Sequence, residues 1–132
     1  MKRILIVEDE SSISDFVKGE LEYEGYEVCI KEDGREGLEE ALNNEYDLVI
    51  LDIMLPGEDG VSLLKKIKAS SRTRDIPVIM ATAKSVEYDK IKSLDMGADD
   101  YLVKPFGMME MVSRIKAVLR RCMPKKENKT EA

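Results

Sequence analysis

Five short apolar segments alternate along the chain with longer segments in which apolar residues recur every three or four positions. The apolar runs Leu48–Leu51 and Val78–Met80 are continuous, which is typical of parallel strands that are covered on both faces. We predict strands over residues 3–7, 26–30, 47–51, 76–81 and 99–103. Such strands, alternating with amphipathic helices, predict a doubly wound α/β fold with a five-stranded parallel sheet, five helices and right-handed crossovers.

The helices are predicted from apolar spacing and from residues typical of helix ends. The first is expected to begin at the capping-box pair Ser12 and Asp15 and to end at Gly25. Its expected buried stripe is Ile13, Phe16, Val17 and Leu21. Three further helices are expected over 34–44, 60–69 and 107–121, and the last should bury Met108, Val112, Ile115, Leu119 and Cys122. The fourth predicted helix, 85–96, has little apolar surface, so we expect either a loosely held element that can shift or an ordinary solvated helix.

Acidic residues stand where two of the predicted strands end. Glu8 and Asp9 follow the first strand, and Asp52 follows the third. In a doubly wound sheet these strand ends lie at the ligand-binding edge, to which Thr82 and Lys104 also belong. Three uncompensated carboxylates would repel each other, and oxygen ligands favour Mg²⁺, with Mn²⁺ or Ca²⁺ as possible substitutes. We therefore expect a metal site with Asp52 as a candidate nucleophile.

Composition narrows the function classes. The 132 residues are 43% hydrophobic and 36% charged, which suits one globular domain. We assign residues 1–122 to this domain and residues 123–132 to a polar tail or the start of a linker. The net charge of −6 argues against direct nucleic-acid binding, and the absence of histidine excludes histidine-dependent catalysis. Two cysteines and no apolar stretch of membrane-spanning length favour a cytoplasmic location.

Several sequence motifs occur in a fixed order over residues 2–121. They are Ile4–Val7 with Glu8-Asp9, Asp52–Pro56, Thr82-Ala83 and Asp99–Phe106. Together they resemble a response-regulator receiver domain of bacterial two-component signalling, most closely the receivers of winged-helix transcription factors. The resemblance implies a flavodoxin-like fold with strand order 2-1-3-4-5.

The resemblance also implies a role for each site residue. Asp52 would accept a phosphoryl group from a histidine kinase, and Lys104 would pair with a phosphoryl oxygen. The Lys104–Pro105 peptide bond would be cis, which would lock the loop and aim the lysine. The Mg²⁺ ligands would be Glu8, Asp9, Asp52 and the main-chain carbonyl of Met54. Such a protein would catalyse only its own phosphorylation and slow dephosphorylation, and would not be an enzyme acting on a separate substrate.

Two further residues would carry the signal, and one would set its duration. The resemblance implies that the hydroxyl of Thr82 moves toward the phosphoryl group and that Tyr101 then turns its ring inward. Met54 and Lys84 would flank the path of the hydrolytic water. Because Met54 is apolar and cannot orient that water, we expect a long-lived phosphoryl group.

The last third of the chain resembles the dimer-forming face of the winged-helix subfamily. This face would span the fourth predicted helix, the fifth strand and the last helix. Its expected members are Lys90, Ile91, Leu94, Asp99, Asp100, Glu110, Val112, Arg114 and Lys116. Lys90 would pair with Glu110, and Asp100 with Arg114, across a two-fold axis in a phosphorylation-promoted homodimer. The alternative interpretation is a solvated charged face.

Three other functions each require a feature that the sequence does not have, and a fourth stays open. An aspartyl phosphohydrolase needs an acid two residues after its nucleophile, where this chain has Met54. A nucleotide-binding module needs a glycine-rich loop after the first strand, where this chain has Glu8-Asp9-Glu10. A degenerate receiver should lack an acid or the lysine, and this chain keeps both. A stand-alone receiver that acts by protein contact or phosphorelay stays open, because the subfamily's DNA-binding domain is absent from these 132 residues.

Overall fold

The computed structural model of the chain describes residues 1–56, 59–83 and 97–122, and for Thr82, Ala83 and Cys122 it describes the backbone alone. The strands are β1 Arg3–Val7, β2 Glu27–Lys31, β3 Leu48–Asp52, β4 Val78–Ala83 and β5 Asp100–Lys104. They form one parallel sheet in the order β2-β1-β3-β4-β5, which confirms the predicted topology. The predicted start of β4 at residue 76 was wrong by two residues, since Pro77 has no N–H to donate to the ladder.

Four helices lie within the described ranges. They are α1 Ser11–Tyr23, α2 Gly34–Asn43, α3 Gly60–Ala69 and α4 Met108–Cys122. The helix predicted over 85–96 falls on residues outside the described ranges, so it stays a prediction. None of the described helices is long and apolar enough to cross a membrane.

The sheet separates two apolar layers. One layer packs β1 and β3 side chains such as Ile4 and Ile50 against α1 and α4. The other packs Leu5 and Val49 against α2 and α3. Successive residues of a strand point to opposite faces, so a strand covered on both sides must be apolar throughout. This is why the central strands read as continuous apolar runs.

Helix α1 begins one residue earlier than predicted, and of its expected buried stripe Val17 and Leu21 are buried and Ile13 packs against the core, whereas Phe16 is exposed. Its N-cap is Glu10, whose carbonyl accepts N–H bonds from Ile13 and Ser14 at 3.0 Å, so the predicted capping box of Ser12 and Asp15 was wrong. The buried residues are Ser14, Val17 and Leu21, at helical spacing. Phe16 lies about 100° around the helix from Val17 and is 59% exposed.

The apolar face of α4 is centred on a residue that the sequence pattern did not identify. Met111, Ile115, Val118 and Leu119 are buried, whereas the expected members Met108 and Val112 are only partly buried at the edge of the core. Met109 is exposed. The side chain of Cys122 lies outside the description.

Two backbone features agree with expectation. Gly25 has φ +99°, a left-handed conformation that glycine adopts without a side-chain clash, and it directly follows the C-cap of α1. The Lys104–Pro105 peptide bond is cis, as the resemblance implied.

Candidate functional site

The strand register brings the predicted site residues to one edge of the sheet. Val7 pairs with Leu51, so the next residues, Glu8 and Asp52, emerge side by side from β1 and β3. Lys104 ends β5, in register with Ala83 at the end of β4. All four strands therefore deliver their last residues to the same edge, as the parallel topology requires.

Two carboxylates and one ammonium group form the centre of the site. Glu8 and Asp52 are each only 5% exposed. The Nζ of Lys104 lies 3.0 Å from Oε1 of Glu8 and 3.0 Å from Oδ2 of Asp52. The remaining oxygens accept backbone N–H bonds, from Glu10 to Glu8 and from Met54 to Asp52, both at 3.1 Å. Each carboxylate is therefore held by one charged and one neutral donor.

The electrostatics of this centre are not balanced. Burial raises the pKa of the Glu8 carboxyl, the hydrogen bond from Lys104 offsets part of that rise, and the neighbouring charge of Asp52 adds to it. Burial alone would lower the pKa of Lys104, but its hydrogen bonds to Glu8 and Asp52 outweigh burial, and the pKa is raised. One ammonium group is thus shared by two buried carboxylates. Lys104 has two acidic partners and is stabilised in its charged form, whereas Glu8 has only a share of one cation.

A third carboxylate completes an oxygen-rich cluster. Glu8, Asp9 and Asp52 each offer a carboxylate oxygen, and these oxygens lie within 4.8 Å of one another. Glu8 and Asp52 are buried, whereas Asp9 is exposed. An all-oxygen donor set with excess negative charge is the chemistry that hard divalent cations need. The residues present therefore fit a cation at this edge.

Comparison with known proteins agrees with this geometry. Residues 4–116 match the family model described as the response regulator receiver domain. The chain belongs to the response regulator receiver domain family. The resemblance inferred from its motifs is therefore confirmed.

Individual relatives support the assignment. The chain is 51% identical over 121 residues to the response regulator ArlR of Staphylococcus saprophyticus, covering 92% of this chain and 54% of that protein. It is 49% identical over 127 residues to ArlR of Staphylococcus aureus, covering 96% and 56%. The receiver thus spans about half the length of these curated relatives.

Solved structures share the fold. A CheY-like response regulator receiver domain protein of Methanospirillum hungatei has a TM-score of 0.89 at 36% identity, covering 95% of this chain and 98% of that one. A Francisella response regulator receiver domain has a TM-score of 0.85 at 34% identity, covering 92% and 98%.

The two predicted switch residues are described to different extents. The backbone of Thr82 lies in β4 in register with Val103 of the receiver, but the position of its hydroxyl is outside the description. Tyr101 lies in β5, half-buried, and packs against the apolar layer under α2 and α3. Their roles in switching stay predictions.

The predicted dimer face is engaged in contacts within one chain where it is described. Nη1 of Arg114 lies 3.0 and 3.1 Å from the two carboxylate oxygens of Asp100, and its Nε lies 3.2 Å from Oε2 of Glu110. The Asp100–Arg114 pair that we expected between subunits therefore forms inside the receiver. Lys90, Ile91 and Leu94 lie outside the described residues.

Two further members of that face also have partners in the same chain. Lys116 pairs with Glu24 of α1 at 3.2 Å. Asp99 accepts a 2.8 Å bond from the N–H of Val78 and lies 3.8 Å from Nζ of Lys68. The carboxylate of Asp99 is therefore bound at the start of β4, and its expected place in the dimer face stays a prediction.

The backbone donors of the site could not be found from the sequence. The N–H groups of Glu10 and Met54 act through loop conformation and not through side-chain identity, so no residue pattern marks them. The predicted ligand role of the Met54 carbonyl stays a prediction, while the Met54 side chain is 71% exposed beside Asp52.

Proposed function

We propose that this receiver accepts a phosphoryl group on Asp52 from a histidine kinase and thereby switches a signalling output. The observation that carries the proposal is the environment of Asp52. Its carboxylate is buried at a strand end, bound by Lys104, and adjacent to two further acids. This combination costs stability and has no use in packing, so it favours a reactive carboxylate.

The group transfer requires little covalent chemistry from the protein. An oxygen of Asp52 attacks phosphorus, the P–N bond of the kinase phosphohistidine breaks, and the freed imidazole nitrogen takes a proton from water. An acyl phosphate forms on Asp52. Lys104, already bound to Oδ2 of Asp52, is positioned to pair with a phosphoryl oxygen. Its compact ammonium charge suits that role.

We further propose that Mg²⁺ is held by Glu8, Asp9, Asp52 and the Met54 carbonyl. The bound ion supplies charge neutralisation for the transferring phosphoryl group. Glu8 and Asp52 offer buried carboxylates and Asp9 an exposed one, so the cluster can bind the ion while remaining open to a phosphodonor. The same residues would accept Mn²⁺ or Ca²⁺.

An apolar groove of about 230 Å³ borders Lys104 and supports a protein donor. Its lining includes Ile13, Phe16, Pro105, Phe106 and Met108. An exposed aromatic side chain beside a buried acidic site is costly in water and favours contact with a protein surface. We assign this groove to the kinase.

The output is a change in how the receiver associates with itself. We propose that the Thr82 hydroxyl and the Tyr101 ring move upon phosphorylation and favour a homodimer through the face that includes Asp100, Val112 and Arg114. In such a dimer Arg114 would have to exchange its partner within the chain for one across the axis. We propose that the whole protein acts through a DNA-binding domain of the winged-helix type, and this chain spans about half the length of the ArlR relatives.

The decisive experiment is incubation with Mg²⁺ and acetyl phosphate, followed by intact mass measurement and size-exclusion chromatography. We expect one phosphoryl adduct in the wild type and none in Asp52→Asn, with a shift to dimer only in the phosphorylated sample. No adduct on the wild type would defeat the receiver function, whereas an adduct without dimer would favour the stand-alone alternative. A Met54→Asn variant should shorten the adduct's lifetime, and an unchanged lifetime would refute the role of Met54.

A further inference from the structure

The first residue of α3, Gly60, packs against the backbone of the phosphoacceptor so closely that a side chain there would clash. A Cβ built on Gly60 would lie 2.2 Å from the carbonyl oxygen of Asp52, 2.7 Å from Cα of Ile53 and 2.9 Å from the carbonyl carbon of Asp52. Real Cβ atoms essentially never approach other atoms closer than 3.0 Å. Gly60 does not have a positive φ, so its lack of a side chain is needed for space and not for conformation.

We propose that Gly60 is a positioning residue for phosphorylation, because it lets the start of α3 fix the backbone of Asp52. The inference rests on the proposed function, and it adds a residue that touches neither the metal ligands' side chains nor the phosphodonor. Its effect passes through the main chain of Asp52 and Ile53.

The backbone on the other side of this contact has little freedom to move away. Asp52 pairs with Ala81 in the sheet, and the N–H of Ile53 donates to the Ala81 carbonyl at 2.9 Å. The carbonyl of Ile53 in turn accepts the N–H of Gly60 at 2.8 Å. The end of β3 is thus bound to β4 on one side and to α3 on the other.

The start of α3 is fixed as well. The side chain of Asp59 caps the helix by accepting the N–H of Ser62 at 2.8 Å, and its carbonyl accepts the N–H of Leu63 at 3.1 Å. Leu63, Leu64 and Ile67 bury the helix against the sheet. A side chain at position 60 must therefore displace either a capped, packed helix or the residue that carries the reactive carboxylate.

The expected displacement is large enough to affect catalysis. Relieving a 2.2 Å approach requires a movement of about 1 Å, and a misplacement of that size lowers rates by roughly 100-fold. The movement would separate Asp52 from Glu8, which follows β1, and from Lys104, which ends β5. We therefore expect Gly60→Ala to weaken Mg²⁺ binding and to slow phosphoryl transfer together.

The chain provides two matched controls. The three atoms nearest to a Cβ on Gly37 of α2 would all belong to the Val7 side chain, the closest at 2.7 Å, so Gly37→Ala tests a packing clash beside the site. A Cβ on Gly19 of α1 meets nothing within 4 Å, and Gly19→Ala should raise stability through helix propensity. The double variant Gly19→Ala with Gly60→Ala separates positioning from a general loss of stability.

The test measures the initial rate of phosphorylation by acetyl phosphate over a range of Mg²⁺ concentrations. The rate is divided by the folded fraction of each variant, which circular dichroism gives. We expect Gly60→Ala to lower the rate between 10- and 100-fold and to raise the Mg²⁺ concentration for half-maximal rate, with the double variant no faster. Gly37→Ala should lower the thermal midpoint while its Mg²⁺ dependence stays that of the wild type.

Four other outcomes would overturn the positioning role of Gly60. A rate restored by Gly19→Ala, a Mg²⁺ dependence unchanged in Gly60→Ala, or an equal change in Gly37→Ala would overturn the positioning role. Failure of Gly60→Ala to fold in both backgrounds would also overturn it, since the glycine would then serve the whole fold. Absence of any adduct on the wild type would instead count against the proposed function.

Discussion

At the carboxyl ends of the strands Lys104 is shared by the buried carboxylates of Glu8 and Asp52, with Asp9 beside them, whereas the described charged groups at the amino ends bond neutral backbone groups as well as opposite charges. There, Nζ of Lys68 donates to the carbonyls of Arg74 at 3.1 Å and Ile76 at 2.9 Å and lies 3.8 Å from Asp99. The amino-end groups hold loops and strand starts in place. The carboxyl-end groups repel each other around an oxygen-rich space, so one end of the sheet stabilises the fold and the other gives up stability for chemistry.

A second network supports the amino end. The backbone N–H of Arg3 donates to Asp47 at 2.8 Å, and the Arg3 guanidinium lies 4.8 Å from the centre of the Tyr46 ring. The Tyr46 hydroxyl donates to Glu40. These contacts join β1, α2 and the start of β3. Two lysines of similar exposure, Lys68 at 20% and Lys104 at 22%, therefore offer a direct comparison between the two ends.

Lys104→Met should have the largest effect. Removing the ammonium leaves Glu8 and Asp52 buried without their shared cation, so we expect the free energy of unfolding in Mg²⁺-free buffer to fall by about 3 kcal/mol. Phosphorylation should slow by about 100-fold, because the developing charge loses a donor. Chemical denaturation with and without Mg²⁺ measures the first effect, and Mg²⁺ should restore more stability to this variant than to the wild type. A smaller Mg²⁺ response than in the wild type would contradict the imbalance of charge.

Lys68→Met tests the opposite end with the same substitution. It removes two hydrogen bonds to backbone carbonyls and the pair with Asp99, which should cost about 2 kcal/mol of unfolding free energy. Because Lys68 lies far from Asp52 along the strands, phosphorylation per folded molecule should stay within about twofold of wild type. A slowing as large as that of Lys104→Met would show that the two ends are not separable.

Glu8→Gln should stabilise the protein while it impairs the site. The substitution removes one of two repelling buried charges and leaves Lys104 paired with Asp52, so unfolding free energy in Mg²⁺-free buffer should rise by about 1 kcal/mol. Mg²⁺ affinity, measured by calorimetric titration, should fall. Glu39→Gln, at an exposed position of α2, is the matched control and should change neither quantity. A loss of stability in Glu8→Gln would argue that the acids are satisfied as they stand.

Tyr46→Phe should have the smallest effect and a characteristic pH dependence. Burial raises the pKa of the Tyr46 hydroxyl, and its hydrogen bond to Glu40 and its contact with Cys29 raise it further. A raised pKa means that the hydroxyl contributes stability below its ordinary pKa of about 10 and loses that contribution as the pH rises through the folded-state value. We expect the variant to be about 1 kcal/mol less stable at pH 7, with a gap that narrows above pH 10.

The control for that measurement is Tyr23→Phe, because Tyr23 is almost fully exposed on α1. Unfolding free energies of both variants and the wild type between pH 7 and 11 are compared. A gap for Tyr46→Phe that stays constant across this range would contradict a raised pKa of the hydroxyl.

The sequence predicts the parts of the molecule that depend on local pattern and topology. Continuous apolar runs identified the strands, and the parallel order then required Glu8, Asp52 and Lys104 to share an edge. The exact faces of α1 and α4 were predicted less well. Ser14 is small enough to be buried with its hydroxyl bonded to the Ser11 carbonyl, while Phe16 is left on the surface. Apolar spacing alone cannot anticipate this exchange of a large apolar residue for a small polar one.

The partners of charged residues were also beyond prediction. Asp99 was expected on the dimer face, yet within the chain its carboxylate lies beside Lys68 of α3, which stands 31 residues earlier in the sequence. Whether a carboxylate meets a backbone N–H, a lysine or solvent depends on loop paths that the spacing of residues does not encode.

The pairing of Val7 with Leu51 places a restriction on how this chain can change length. Deleting or inserting one residue within β1 would leave all the acidic residues in the sequence. It would nevertheless shift the register by one residue, so that Glu8 would point to the opposite face of the sheet and a neighbouring residue would take its position. The segment 70–77, which joins α3 to β4 at the far end, holds no acid of the site. Related proteins should therefore tolerate insertions and deletions at the amino ends of the strands while keeping the residue count between strand start and acid unchanged.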